Sequence, residues 1–134
     1  MEALRLIGES IGILFQIRDD ELGLFGDEQE LGKPIGSDVR EGKKTLLYAR
    51  LMQRAGTRDR ARLARLFGNR GATRRDLEYV RERALALGVK DSLDATTHQI
   101  RERTRELIES VRTGAGAEKD RLRELVDFAV SRRQ

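Results

Sequence analysis

The sequence predicts an all-α fold. Ala, Leu, Arg and Glu abound, whereas the β-branched and aromatic residues that strands favour are sparse, with aromatics at 4%. Proline occurs once, at Pro34. Apolar residues recur three and four positions apart over most of the length, and no stretch alternates as a half-buried strand would. At 134 residues the chain has the size of one ordinary domain, and a hydrophobic fraction of 38% is enough for a core.

The first helix is expected over residues 1–24. Leu4, Ile7, Ile11, Leu14, Phe15 and Leu22 follow helical spacing, and Leu6, Ile13, Ile17 and Leu24 lie on another side. A helix apolar nearly all round is expected in the middle of an assembly. At about 100° per residue, Gly8, Gly12, Gln16, Asp19 and Gly23 form one narrow stripe, small at one end and polar at the other. Residues 25–42 read as a loop, punctuated by Gly26, Gly32, Pro34, Gly36 and Gly42. Loops of that length in compact domains tend to carry function.

Residues 43–134 read as further helices. Lys43 to Ala55 places Leu47, Leu51 and Ala55 on one face. Thr57 is read as the N-cap of a short helix reaching Phe67. Thr73 with Asp76 has the form of a capping box, opening a helix with Leu77, Val80, Ala84 and Leu87 inward and Gly88 as its stop. Leu93, Thr97, Ile100, Thr104, Leu107 and Val111 trace a longer helix that the segment TGAGA ends, and Leu122, Leu125, Val126 and Ala129 define the last.

Charge is unevenly distributed. Phe15 to Thr45 holds eight acidic and five basic residues, while Leu46 onward holds thirteen acidic and twenty-one basic. In stretches such as RERTRELIE and DRLREL the arginines alternate with acids, the pattern of salt-bridged solvent-facing helices, so a nucleic-acid partner is not expected. No apolar run is long enough to span a bilayer, and the opening residues do not read as a signal peptide. Cysteine is absent, which removes disulfide and thiolate chemistry and fits a cytoplasmic location without requiring it. His98 is the single histidine, so neither a zinc site nor histidine catalysis is expected. Tyr48, Phe67 and Tyr79 are read as core or boundary residues.

The chemistry-bearing stretch is FQIRDDELGLFGDEQELGKPIGSDVREGKKT, Phe15 to Thr45. Adjacent helical side chains diverge by about 100°, so Asp19 and Asp20 point different ways. Asp19 shares the Gln16 stripe and is the better candidate for a cleft, while Asp20 leans toward Glu9. Two carboxylates near a helix C-terminus oppose its dipole and call for a compensating cation. Magnesium takes one or two carboxylates and completes its shell with water and phosphate, which suits this pattern. Of only five lysines, Lys33, Lys43 and Lys44 fall here. Lysine binds phosphate as a point charge. GKPIGSD lacks the Gly-Lys-Ser/Thr at a helix start that a P-loop requires. Asp38 could add a carboxylate near the metal or cap the loop; both readings stand at this point.

The segment GESIGILFQIRDDELGLFGDEQELGKPIGSDVREGKKTLL resembles the second aspartate-rich region of trans-isoprenyl diphosphate synthases (polyprenyl synthetases), most of all the archaeal geranylgeranyl diphosphate synthase type. The shared features are Phe-Gln before the aspartates, the spacing to Gly-Lys-Pro and the ending Asp-x-x-Glu-Gly-Lys-x-Thr. The resemblance implies the isoprenoid-synthase helical bundle, usually a homodimer, condensing an allylic diphosphate with isopentenyl diphosphate through an allylic cation assisted by Mg2+. It implies Asp19 as a magnesium ligand supported by Asp20, with Asp38 in the outer coordination sphere. Gln16, Lys33 and Lys43 would contact diphosphate or steady the metal, and Asp19, Lys33 and Lys43 would carry catalysis. The commonest form of the motif has a third aspartate where this chain has Gly23. The family's first aspartate-rich motif has no counterpart, since no other Asp-Asp pair occurs. The chain is therefore expected to be the C-terminal part of a synthase. It should be inactive alone, leave an apolar face exposed, and need the N-terminal half or a partner subunit in a homo- or hetero-oligomer. The alternatives are a noncatalytic helical partner of a complete synthase and, less favoured, a basic nucleic-acid-binding module.

Overall fold

The computed structural model describes residues 2–26, 35–111 and 116–131. Among them are seven helices and no strand, which bears out the all-α class: α1 (Glu2–Phe25), α2 (Ser37–Glu41), α3 (Leu46–Arg54), α4 (Thr57–Leu66), α5 (Arg74–Ala86), α6 (Val89–Ser110) and α7 (Gly116–Ser131). The chain divides into two compact units, with the divisions falling inside α1 and α6. One unit comprises Met1–Asp19 and Asp94–Arg132, and the other is built on Asp20–Leu93.

In the first unit Ile7, Ile11 and Leu14 of α1 pack with Ile108, Val111, Val126 and Ala129. Phe15 lies against Phe128, ring centroids 5.6 Å apart. Within this chain part of α1 is uncovered: Leu4 and Ile13 are exposed, as are Leu125 and Phe128 of α7. The repeat at three and four residues encloses one face only, because the outward flank also carries Glu2, Arg5 and Glu9, which pair with one another. All-round enclosure begins at the last turns, where Asp20, Glu21, Leu22, Gly23 and Leu24 are buried in succession.

The second unit is organised by turn chemistry. Thr45 caps α3, its hydroxyl accepting from the Tyr48 N–H at 3.2 Å, and Leu47 and Leu51 are buried. The N-cap of α4 is Gly56 rather than Thr57, and it makes no side-chain cap; Thr57 is already helical. Leu63 and Leu66 fix its inner face. The capping box at Thr73 and Asp76 forms as the sequence predicts. Gly88, at φ 71°, ends α5 in the left-handed region, and α6 starts at Val89, four residues before the periodic pattern.

The box gives a direct expectation. Thr73→Ala should lower stability by about 1 kcal/mol in urea titration. Hydrogen bonds from the Thr73 backbone and hydroxyl hold the Asp76 carboxyl below its ordinary value. A depressed folded-state value contributes stability that is present above the unfolded carboxylate range and lost as pH falls through the folded one. Asp76→Asn should therefore flatten the acid limb of the stability–pH profile relative to the parent.

Candidate functional site

The site is assembled by a single helical turn, α2, clamped between two left-handed glycines. Gly36 (φ 85°) precedes it and Gly42 (φ 70°) follows it. The Gly36 N–H donates to the Gly23 carbonyl at 2.9 Å, tying α2 to the end of α1. The Val39 carbonyl accepts from the Gly68 N–H at 2.7 Å, and Arg40 Nε donates to the Ala72 carbonyl at 3.1 Å. At Gly42 a Cβ would lie 3.0 Å from the Gly68 Cα, so the two backbones approach as only glycines permit. Five residues are thus held at both ends and in the middle by chain up to 32 positions away.

This clamp places Asp38. Its Oδ2 is 3.4 Å from where a Gly23 Cβ would stand, so the carboxylate occupies the space that the missing side chain leaves beside α1. Its Oδ1 lies 3.3 Å from Lys43 Nζ, with Glu41 at 3.7 Å from the same ammonium. The hydrogen bond and charge of Asp38, then the charge of Glu41, raise the Lys43 pKa. Lys43 is about half exposed and stays charged at neutral pH; Asp38 is largely enclosed. Of the two readings of Asp38, capping and metal support, the geometry adds a third element, an ion pair that orients a lysine toward solvent.

The acidic end of α1 differs from expectation in one respect. Asp19 is half-buried, but Asp20 is buried, as is Glu21, whereas Glu9 is exposed. Asp20 therefore does not lean onto the solvent flank of Glu9, because the closing turns of α1 are enclosed on every side. Gln16 is exposed, and nothing lies within 4 Å of a Cβ placed at Gly8 or Gly12. Asp19 belongs to the first unit and Asp38 and Lys43 to the second. Lys33, expected on the diphosphate, lies outside the described residues. Glu21, Arg40 and Gly68 were not singled out from sequence. A buried Glu21 had a signal, an acid inside an apolar helix. Arg40 and Gly68 had none, because their partners are carbonyls remote in the chain.

The donors fit a hard cation in part. Among the described residues no three His, Cys, Asp or Glu side chains stand close enough to hold a metal ion. Asp38 paired with Lys43 is a donor set that suits magnesium shared with phosphate better than an all-protein cage.

Residues 1–84 match the family model described as polyprenyl synthetase. The chain is 49% identical over 75 residues to the geranylgeranyl diphosphate synthase of Saccharolobus solfataricus, covering 56% of this chain and 23% of that protein. It is 35% identical over 126 residues to the geranylfarnesyl diphosphate synthase of Aeropyrum pernix, covering 94% of this chain and 38% of the relative. Its structure is similar to that of geranylgeranyl pyrophosphate synthase from Corynebacterium glutamicum complexed with isoprenyl diphosphate and magnesium, with TM-score 0.89 and 32% identity over 98% of this chain and 37% of that one. The chain thus spans less than two fifths of the length of these relatives. Family model, sequence relatives and helical fold agree, and the chain belongs to the polyprenyl synthetase family.

Proposed function

We propose that this chain supplies one diphosphate-gripping wall of a trans-prenyltransferase that condenses an allylic diphosphate with isopentenyl diphosphate. The observation that supports it most is the clamped α2 turn, which sets Asp38 into the gap at Gly23 and Lys43 beside it. In the domain reading, 1–24 carries the aspartates, 25–42 the phosphate loop and 43–134 the supporting helices.

Magnesium, when bound, neutralises diphosphate charge and links it to carboxylates. Asp19 and Asp20 are the proposed ligands, with Asp38 behind them. Lys43 keeps its proton because Asp38 stabilises the ammonium, so it presents a full positive charge to oxygens that become more negative as the leaving group departs. Lys33 and Gln16 are assigned to the same diphosphate. The open positions at Gly8 and Gly12 leave room for an apolar chain along α1. Catalysis needs carboxylates from a facing wall, contributed by further helices or a partner subunit, so the isolated chain is expected to be inactive.

The test replaces the corresponding segment of the Aeropyrum pernix relative with residues 1–134 and measures prenyl transfer. The chimera should be active. Asp19→Asn should lower its rate about a hundredfold, and Lys43→Ala, half exposed and screened by water, about tenfold. A chimera indifferent to Asp19→Asn would overturn the assignment, and measurable transfer by the isolated chain would overturn its dependence on a second wall.

A further inference from the structure

Arginines are paired more often in the first unit than in the second. In the first, Arg5 pairs with Glu2 and Glu9, Arg101 and Arg105 share Asp127 at 2.8 and 3.0 Å, and Arg123 pairs with Glu109 and Asp120, while Arg103 and Arg121 are exposed. In the second, the stretch Arg54 to Arg75 holds eight arginines against one acid, Asp59. That acid is taken, accepting from the Tyr79 hydroxyl at 2.7 Å and lying 3.4 Å from Arg83. Arg58, Arg65, Arg70, Arg74 and Arg75 are exposed, and no acidic partner is found for them among the described residues.

Their placement is not what helix stability would choose. Arg58 stands in the first turn of α4, and Arg74 and Arg75 open α5, where the dipole disfavours cations. Arg58, Arg62 and Arg65 follow at i, i+4 and i+7 and share one flank of α4. The Arg62 guanidinium sits 3.7 Å over the Tyr79 ring, which sets that flank beside α5. Arg70 lies in the connection between the two helices. The result is a surface on which arginines outnumber acids: Asp76 lies near Arg62, and Glu78 and Glu82 are exposed on α5, yet the five exposed arginines have no paired acid among the described residues.

We propose that the α4–α5 surface docks on the anionic phosphates of a lipid bilayer. Guanidinium groups match phosphate oxygens bidentately. Lipids diffuse laterally, so they can gather around the arginines while leaving the exposed Glu78 and Glu82 unopposed, which a fixed phosphate lattice such as duplex nucleic acid cannot do. On α5 the side of Arg74 and Arg81 also carries Leu85, 48% exposed, an apolar group a bilayer can take up. The rings on α3 to α5 are already engaged: Tyr79 is covered by Arg62, and Tyr48 packs on Phe67 at 4.8 Å. The inference stands on charge placement and does not involve prenyl transfer.

The whole chain is sedimented with vesicles of phosphatidylcholine alone and with vesicles rich in phosphatidylglycerol. Binding is expected only to the anionic vesicles, with release at high salt. Each arginine near such a surface is worth about fivefold in partitioning, so R58Q/R65Q/R75Q should weaken binding about a hundredfold. The control R5Q/R123Q, which removes paired arginines, should bind like the parent, and circular dichroism checks that both variants stay folded. Absence of sedimentation with anionic vesicles, or equal binding by R58Q/R65Q/R75Q, overturns the proposal. Tighter binding to duplex DNA than to the vesicles at the same salt also overturns it, assigning the surface to nucleic acid.

Discussion

Gly36→Ala should be among the most damaging single substitutions in the second unit. Gly36 sits at φ 85°, and an alanine Cβ there would stand 2.5 Å from Leu77 Cδ1 and 2.6 Å from Cδ2. Two penalties therefore combine. The left-handed conformation costs an L side chain about 1–2 kcal/mol. Overpacking against a buried leucine costs a further ~1–3 kcal/mol, and Leu77 cannot swing clear because it is itself 7% exposed. The sum, about 2–5 kcal/mol, is a large part of the stability of a small domain. Urea titration should show a lower midpoint with an unchanged slope. The two penalties are separable: in Leu77→Ala background the steric part disappears, so Gly36→Ala should cost only the backbone share, and the double variant should be non-additive. An unchanged midpoint for Gly36→Ala, or strict additivity with Leu77→Ala, would refute this account of the turn.

The same residue shows what could be read from sequence and what could not. Local signals were legible. The Thr73–Asp76 box, the stop at Gly88 and the buried face of Leu47, Leu51 and Ala55 each depend on residues a few positions apart, and each forms as expected. Gly36 was recognisable as a glycine in a functional loop, but its reason, Leu77, lies 41 positions on. The α2 turn is too short, at five residues, to carry a periodic signal in the sequence. It is helical because Gly23, Gly68 and Ala72 satisfy its backbone and Arg40 from outside. Periodicity in α1 marks which residues share a face but not how many faces this chain covers. The candidate chemistry was legible as a motif, and its ion pair between Asp38 and Lys43 was not. That contact is set by the left-handed Gly42, which turns the chain so that the Lys43 N–H donates to the Asp38 carbonyl at 3.0 Å and brings the ammonium back to the carboxylate.

Gly23 is where magnitude decides a sign. Restoring the aspartate that the commonest form of the motif has there should destabilise this chain, while alanine should not. An alanine Cβ would meet Asp38 Oδ2 at 3.4 Å, an ordinary contact, and replacing glycine within a helix gains about 0.5–1 kcal/mol. Gly23→Ala is therefore expected to be neutral or stabilising. Gly23→Asp adds to the same contact a second carboxylate, in a buried position, against one that already has Lys43 as its counter-charge. Two close carboxylates out of water cannot both stay ionised without penalty, and the expected loss at neutral pH is about 2–4 kcal/mol. The loss should shrink as pH falls through the carboxylate range and protonation removes the repulsion. Gly23→Asp/Asp38→Asn should recover most of it, because a neutral amide can donate to the new oxygen. Millimolar magnesium should also rescue Gly23→Asp if the two carboxylates converge on one ion. That arm reads the metal-binding geometry by thermal shift alone, without any reaction being run. Should Gly23→Asp melt like Gly23→Ala, then Asp38 does not hold the space beside α1, and the clamped turn is not what positions Lys43.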